Sequence, residues 1–440
     1  MTTQHLIDAD QPLSKSLLWQ IQRAYFLKNG MAAWQDDVVP HQISSSPYMA
    51  RAYADIALAY LDDVADEIDF NQPLYIIELG AGSGRLAYHF MRHLFPRLAD
   101  SPYANLHVKM ILTDFVPEIL AFWQENGRFE PYIEADQLDF ALFDVMDKRP
   151  LIPTNNTNPI ILIANYFFDS IPQDSFVLDD GVLHSNLLSL YSSQPEPDLA
   201  DPAIWERLRL AYEPIPQAAP HYDQPLYDDI LQLYEAYLPD TAFSFPNSGL
   251  DCLRFLQGEG MGLLLTSDRG YNTVEEFIGQ GDPEPNLHGS FSLMVNYDAI
   301  ARYVEMAGGR ALHAPQYQDN LQTAVYLLNH HPRTDATSRA FTRAIIDGGP
   351  DDFFAVKQAI TPHLDGLTLP QLLSYMRLSL WDGAIFIDCF PALLARVQEA
   401  DSVWYADVEA AVMAVWENYL PLADNDPVEA QINQLLAYLN

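Results

Sequence analysis

The sequence predicts an α/β protein: a largely parallel sheet, preceded by a helical segment and followed by an all-α C-terminal stretch. Three observations carry this. From residue 74 onward, short apolar runs alternate with helix-period segments, the pattern of strands covered by helices on both faces. Before residue 70 and after residue 338, apolar residues recur instead at three- and four-residue spacing. The 440 residues are 49% hydrophobic and 19% charged, a globular composition that excludes global disorder.

The elements follow in order. "SLLWQIQRAYFL" and "YMARAYADIALAYLDDVADEI" are amphipathic helices, separated by the loop "VVPHQISSSPY". "LYIIEL" is a strand and "RLAYHFMRHLF" a helix. "HVKMILTDF" is a strand, and "PEILAFWQEN" a helix with proline in its first turn. "ALFDV" is a short strand, a further strand spans Ile160 to Ala164, and "GMGLLLTSDRG" is a strand with a turn at its end. Residues 191–225 are proline-rich and are expected to pass over the surface or form a lid, and 279–290 read as a loop. The strand–helix pattern ends near "TAVYLLNHHP", and five helical stretches follow. The expected domains are an N-terminal helical segment at 1–70, a core at 71–332 with an insertion at about 191–248, and a helical domain at 333–440.

Charge limits the partners. There are 60 acidic and 23 basic residues, a formal net charge of -37. A surface this acidic repels phosphate backbones, which excludes general nucleic-acid binding and disfavours anionic membranes. Two cysteines, Cys252 and Cys389, supply neither metal-ligand spacing nor a disulfide framework, which points to a reducing cytoplasm and no metal. The start "MTTQHLIDADQPLSKS" lacks the regions of a signal peptide, and no apolar run reaches the roughly 18 residues of a membrane span.

The strand "LYIIEL" leads into Glu78-Leu79-Gly80-Ala81-Gly82-Ser83-Gly84 and then a helix. Glycines permit a tight turn and close approach of the backbone to a ligand, and a helix start offers unpaired N–H groups. A dinucleotide turn requires G-x-G-x-x-G, but Arg85 stands at the third glycine position. The Gly-Lys-Ser/Thr ending of a P-loop is missing as well. Glu78, two residues before the first glycine, would repel a pyrophosphate and suits a ligand with a cationic part. This E-x-G-x-G-x-G pattern resembles the first motif of class I S-adenosylmethionine-dependent methyltransferases.

The resemblance implies a Rossmann-like class I methyltransferase sheet with S-adenosyl-L-methionine as cofactor, bound by Glu78, Gly80, Ala81, Gly82 and Gly84. It also implies an acid at the end of the second strand for the ribose hydroxyls. Asp114, followed by Phe115, stands there, although capping of the next helix suits it too. After the third strand, Asp144 and, less well placed, Asp147 are candidates for the adenine amino group, with Phe143 and Val145 as flanking apolar residues. A solvated loop acid and ordinary core explain these equally well. The fourth strand ends in "IANYFFDSIPQDSF", which resembles the "NEFFDALP" signature of the MidA-like methyltransferases. That family includes a mitochondrial complex I assembly factor that methylates a protein arginine. Asn165, Phe167, Phe168, Asp169 and Pro172 match, whereas Tyr166 stands where the family has glutamate, so the carboxylate expected to hold a guanidinium is missing. The similarity runs over about residues 12–330, and the helical tail lies outside it.

For methyl transfer, an acceptor N–H or O–H must lose its proton to a nearby group. Candidates are Asp169, Tyr166, His288 and Asp268. Gly270 marks Asp268 as part of a plain turn, and Asp169 also suits a cap. The hydroxyls of "SSSP" at 44–47 either reach the cofactor or cap the following helix. The expected activity is methyl transfer to an unidentified protein side chain, peptide or small molecule. The competing reading is a non-catalytic scaffold that docks a partner protein through the helical tail.

Overall fold

The computed structural model describes residues 4–34, 43–196, 198–315, 321–328, 333–399, 401–423 and 426–439. Part of the loop read at "VVPHQISSSPY" and the end of "TAVYLLNHHP" lie outside these. Contacts divide the chain into two units, the first made of residues 1–40, 64–82 and 106–334, the second of 41–63, 83–105 and 335–440.

The first unit holds the central sheet. Its strands in chain order are β1 (Leu74–Glu78), β2 (Val108–Asp114), β3 (Leu138–Leu142), β4 (Ile160–Asn165), β5 (Met261–Tyr271), β6 (Arg310–His313) and β7 (Leu321–Leu327). They lie in the order β6-β7-β5-β4-β1-β2-β3. Strands β1 to β5 run parallel, while β7 is antiparallel to both β5 and β6. Strands β1 and β4 are apolar almost throughout because helices and loops cover both faces. The carboxyl ends of β1 to β5 therefore open along one edge, where ligands bind in such sheets.

Local differences from the sequence reading have physical causes. The third strand spans Leu138–Leu142 rather than "ALFDV", and Asp144 lies beyond it in a turn bridged to Asp147. It lies at the edge of the sheet, where half-exposed residues blur the apolar pattern. The turn read at "SDRG" is strand, because β5 continues to Tyr271. Gly270 is needed there for another reason: a β-carbon would fall inside contact distance of the Val295 carbonyl oxygen, where Val295–Asn296 pairs with β5. The proline-rich stretch contributes a mostly exposed strand, Leu208–Pro216. It pairs with Val182–Ser192 in a separate antiparallel sheet that also includes His5–Gln11, Asp174–Asp179 and Thr241–Phe245. The loop at 279–290 ends in a hairpin, Asn286–His288 against Ser290–Ser292.

The second unit is helical. Its core gathers Leu372, Phe386, Cys389, Leu393, Val412, Val415 and Leu435. Asp63, at the end of helix Pro47–Asp63, accepts from the Ala336 and Thr337 N–H groups at 3.1 and 2.8 Å and from the Thr337 hydroxyl at 2.7 Å. It thereby caps helix Asp335–Phe341. Helix Arg85–Ala99 is tied in by Arg97 to Asp55 at 2.7 Å and by the Tyr88 hydroxyl to the Glu417 carbonyl at 2.7 Å. Among the described residues no helix is long and apolar enough to cross a membrane.

Two predictions test these arrangements. Gly270→Ala should destabilise the protein by roughly 2–4 kcal/mol, because the new methyl group meets fixed backbone, and a fall in the denaturation midpoint checks this. His93 has its pKa lowered to about 4 by burial and then by the charges of Arg97, Arg51 and Arg92. Below pH 6.5 the unfolded chain therefore takes a proton that the folded chain refuses, so stability falls as pH drops from 6.5 towards 4. His93→Gln should lose roughly 1–2 kcal/mol less than the parent between pH 7.5 and 5, measured by urea denaturation.

Candidate active site

A cavity of about 1110 Å³, counting its open mouth, lies along the carboxyl ends of the strands of the first unit. One side is built from the ends of β1 to β3. Leu79 and Ala81 donate backbone N–H groups to Ile163 and Thr113, both at 2.8 Å, and the Thr113 hydroxyl donates to the Glu78 carbonyl at 2.8 Å. The Trp123 indole N–H donates to the Gly82 carbonyl at 3.1 Å. These bonds hold the glycine turn, in which Gly80 and Gly82 have φ of 62° and 52°. Such angles favour glycine.

Asp114 is buried yet lines the cavity. Its Oδ2 accepts from the Gly82 N–H at 3.2 Å and its Oδ1 from the Val116 N–H at 3.0 Å. Burial pushes its pKa up to about 6, against the lowering effect of these backbone bonds. Next to it, Arg23 from helix Leu17–Asn29 grips Asp144 with two bonds, of 2.7 and 3.2 Å, and lies 4.5 Å over the Phe115 ring. Asp144 Oδ1 also accepts from the Met146 N–H at 2.9 Å. Asp144 is thus an ion-paired wall residue rather than a solvated acid.

The other side is built after β4 and β5. Tyr166 has φ of 49°, which is unusual for a bulky residue. The backbone held in this way turns Phe167 and Phe168 so that both N–H groups reach Asp268 Oδ2, at 3.1 and 2.9 Å. Asp169 is buried beside Asp268 and hydrogen-bonded to it, and it accepts from the Ser170 hydroxyl at 2.7 Å and from Ser292. Burial raises the Asp169 pKa to about 6, with its hydrogen bonds and Arg269 acting in the opposite direction. Burial and then the Asp169 charge push Asp268 well above the usual carboxylate range. The Asp169 charge therefore disfavours ionisation of Asp268, and the two carboxyls titrate as a pair.

Of the residues expected from sequence, Gly80, Asp114, Phe115, Asp144, Val145, Tyr166, Asp169 and His288 are brought together around this cavity. His288 comes from the 286–292 hairpin, and burial followed by the Arg269 charge holds its pKa down. Glu78, Ala81, Gly82 and Asn165 are not among the lining residues. Glu78 is buried at the end of β1, Asn165 ends β4, and the face of Gly82 is covered by Trp34, so that a β-carbon there would fall inside the indole. Gly84 caps helix Arg85–Ala99 in the second unit with φ of 75°. Ser46 likewise caps, accepting from the Met49 N–H at 3.2 Å. Sequence reasoning missed Arg23, Trp34 and Arg269 and set Asp268 aside as a turn residue. The only local signal was an arginine on an otherwise amphipathic helix.

The cavity fits a nucleoside. Gly80 leaves a cradle in which a β-carbon would meet the Phe167 ring at 3.3 Å, and Asp114 presents a carboxylate beside apolar rings. Fold and site together define a Rossmann-like class I methyltransferase. Residues 58–283 match the family described as "Putative S-adenosyl-L-methionine-dependent methyltransferase", and the chain belongs to that family, whose methyl donor is S-adenosyl-L-methionine. No curated protein matches the chain. Among solved structures, an uncharacterized protein from Burkholderia thailandensis shares 12% identity, covering 74% of this chain and 89% of that one, with a TM-score of 0.46. A member of the same superfamily from that organism, bound to S-adenosyl-homocysteine, shares 13% over 76% and 90%, with a TM-score of 0.48. Magnesium protoporphyrin IX methyltransferase from Synechocystis shares 11% over 71% and 99%, with a TM-score of 0.31.

The carboxyl pair yields a paired test. Asp268→Ala strands two buried N–H groups and should cost roughly 2–4 kcal/mol. Asp268→Asn keeps an acceptor for Phe167 and Phe168 and a donor for Asp169, and should stay within about 1 kcal/mol of the parent in chemical denaturation.

Proposed function

We propose that the chain transfers a methyl group to a nitrogen or oxygen acceptor at the cavity between the ends of β1 to β5. The observation that carries this is that one cavity joins a nucleoside cradle, Gly80 with Asp114, to the carboxyl of Asp169, which is buried beside Asp268. Bound S-adenosylmethionine supplies an electrophilic methyl group on a sulfonium. The residues that would hold this cofactor are Gly80, Asp114, Phe115 and Val145 at the wall, with Glu78, Ala81, Gly82 and Asn165 shaping the loops behind it.

The protein's own contribution is positioning, exclusion of water and proton transfer. Asp114 would accept from the ribose hydroxyls of the bound donor. The rings of Phe115, Phe143 and Phe167 keep water from the reacting atoms. Asp169 accepts the acceptor's proton on its carboxylate, since of the two carboxyls Asp268 is the one pushed well above the ordinary range. A base with a pKa of about 6 is ionised at neutral pH and is matched to that task. Tyr166 and His288 orient the acceptor. In the same reading residues 71–332 form the catalytic domain, with the insertion at 191–248, after a helical segment at 1–70, and residues 333–440 form a helical accessory domain.

Titration calorimetry with S-adenosyl-homocysteine tests the reading. Binding in the micromolar range is expected, and Asp114→Ala should weaken it ~10–100-fold, or about 1.4–2.8 kcal/mol. Folded protein that shows no heat at ~1 mM ligand would sink the reading.

A further inference from the structure

Arg269 stands near the end of β5 and lines the cavity, half-buried. Among the described residues its guanidinium makes no ion pair or side-chain hydrogen bond. That is a notable vacancy in a chain with 60 acidic side chains and 23 basic ones. The nearby carboxyls are already committed: Asp169 to Ser170 and Asp268, and Asp268 to two backbone N–H groups. Arg23, the other guanidinium at the cavity, is held by Asp144. Asp169 lies within electrostatic reach of Arg269 but makes no ion pair with it, so among the described residues the guanidinium donors are available to an arriving anion.

Neutral donors stand beside Arg269 as well. Burial and then the Arg269 charge hold His288 neutral, so it presents an uncharged ring. Asn286 and His288 sit on one strand of the hairpin beside the cavity mouth and add neutral hydrogen-bonding groups. The remaining walls combine aromatic rings, among them Trp19, Phe26, Phe115 and Phe167, with the carboxylates Asp114 and Asp144, the latter held by Arg23.

We infer that the methyl acceptor is a small, ring-bearing carboxylate whose carboxylate is clamped by Arg269, next to the proton acceptor Asp169. The planar guanidinium fork matches a carboxylate with two parallel bonds, which a neutral amide of the same shape cannot reproduce. This rests on the methyltransferase reading above, because it places the carboxylate on the acceptor side and not on the donor side.

The test uses the full chain saturated with S-adenosyl-homocysteine and two matched probes, benzoate and benzamide, titrated by calorimetry or ligand-observed NMR. Benzoate should bind at least ~10-fold more tightly than benzamide. Arg269→Met should erase that preference, Arg269→Lys should restore part of it, and both variants should bind S-adenosyl-homocysteine like the parent, which also shows that they are folded. Equal binding of the two probes, or a benzoate preference that survives Arg269→Met, overturns the inference. A ~10-fold loss of S-adenosyl-homocysteine affinity in Arg269→Met overturns it as well, since the guanidinium would then be holding the donor's own carboxylate. Failure of the parent to bind S-adenosyl-homocysteine while it still prefers benzoate would strike the methyltransferase reading and leave the carboxylate site standing.

Discussion

The side of the cavity built after β4 and β5 depends on one buried carboxyl. Asp268 accepts the N–H groups of Phe167 and Phe168 and so fixes the turn that carries Tyr166 and Asp169 out of β4. A buried carboxylate alone would be expensive, and two side by side more so. The conflict is eased unequally: burial and the Asp169 charge push Asp268 well above the ordinary carboxylate range, while its Oδ2 satisfies the backbone and the hydrogen bonds of Asp169 act to lower that group. The left-handed conformation of Tyr166 persists because the same carboxyl over-determines the residues after it. Geometry and charge at this end of the sheet are therefore set together.

The side built from the ends of β1 to β3 is organised differently, through backbone. The glycine turn is held by bonds from the turn or its neighbours to main-chain carbonyls, and Asp114 answers with its carboxylate on the Gly82 N–H. A site built from main chain tolerates little change in path but much change in surrounding side chains. That fits a cavity whose outer wall comes from a distant helix carrying Arg23, 121 residues away from its partner Asp144.

What could be read in the sequence followed from locality. The runs "LYIIEL", "HVKMILTDF" and "NPIILIAN" announce buried parallel strands because both faces are apolar, and Glu78 to Gly84 specifies a turn within seven residues. Asp114 and Asp169 were legible because Asp114 closes the apolar run of β2 and Asp169 lies four residues past the end of β4. Asp268 was not: Gly270 reads as a turn signal, whereas it is there to let Val295 approach β5. The His5–Gln11 strand escaped because its partner, Val182–Ser192, lies far along the chain and its own residues are mostly half-exposed. Likewise, no periodicity reveals that helix Arg85–Ala99 bonds to residues near 417, more than 300 positions later.

Trp34 has a further consequence. Its indole occupies the face of Gly82, so that part of the glycine turn is already solvated by protein. A ligand that uses Gly82 competes with an internal ring and not with water alone, and its apparent affinity is the difference between two contacts. The indole is thus a resident occupant of the turn, and it sets a threshold of attraction below which a nucleoside leaves Gly82 covered.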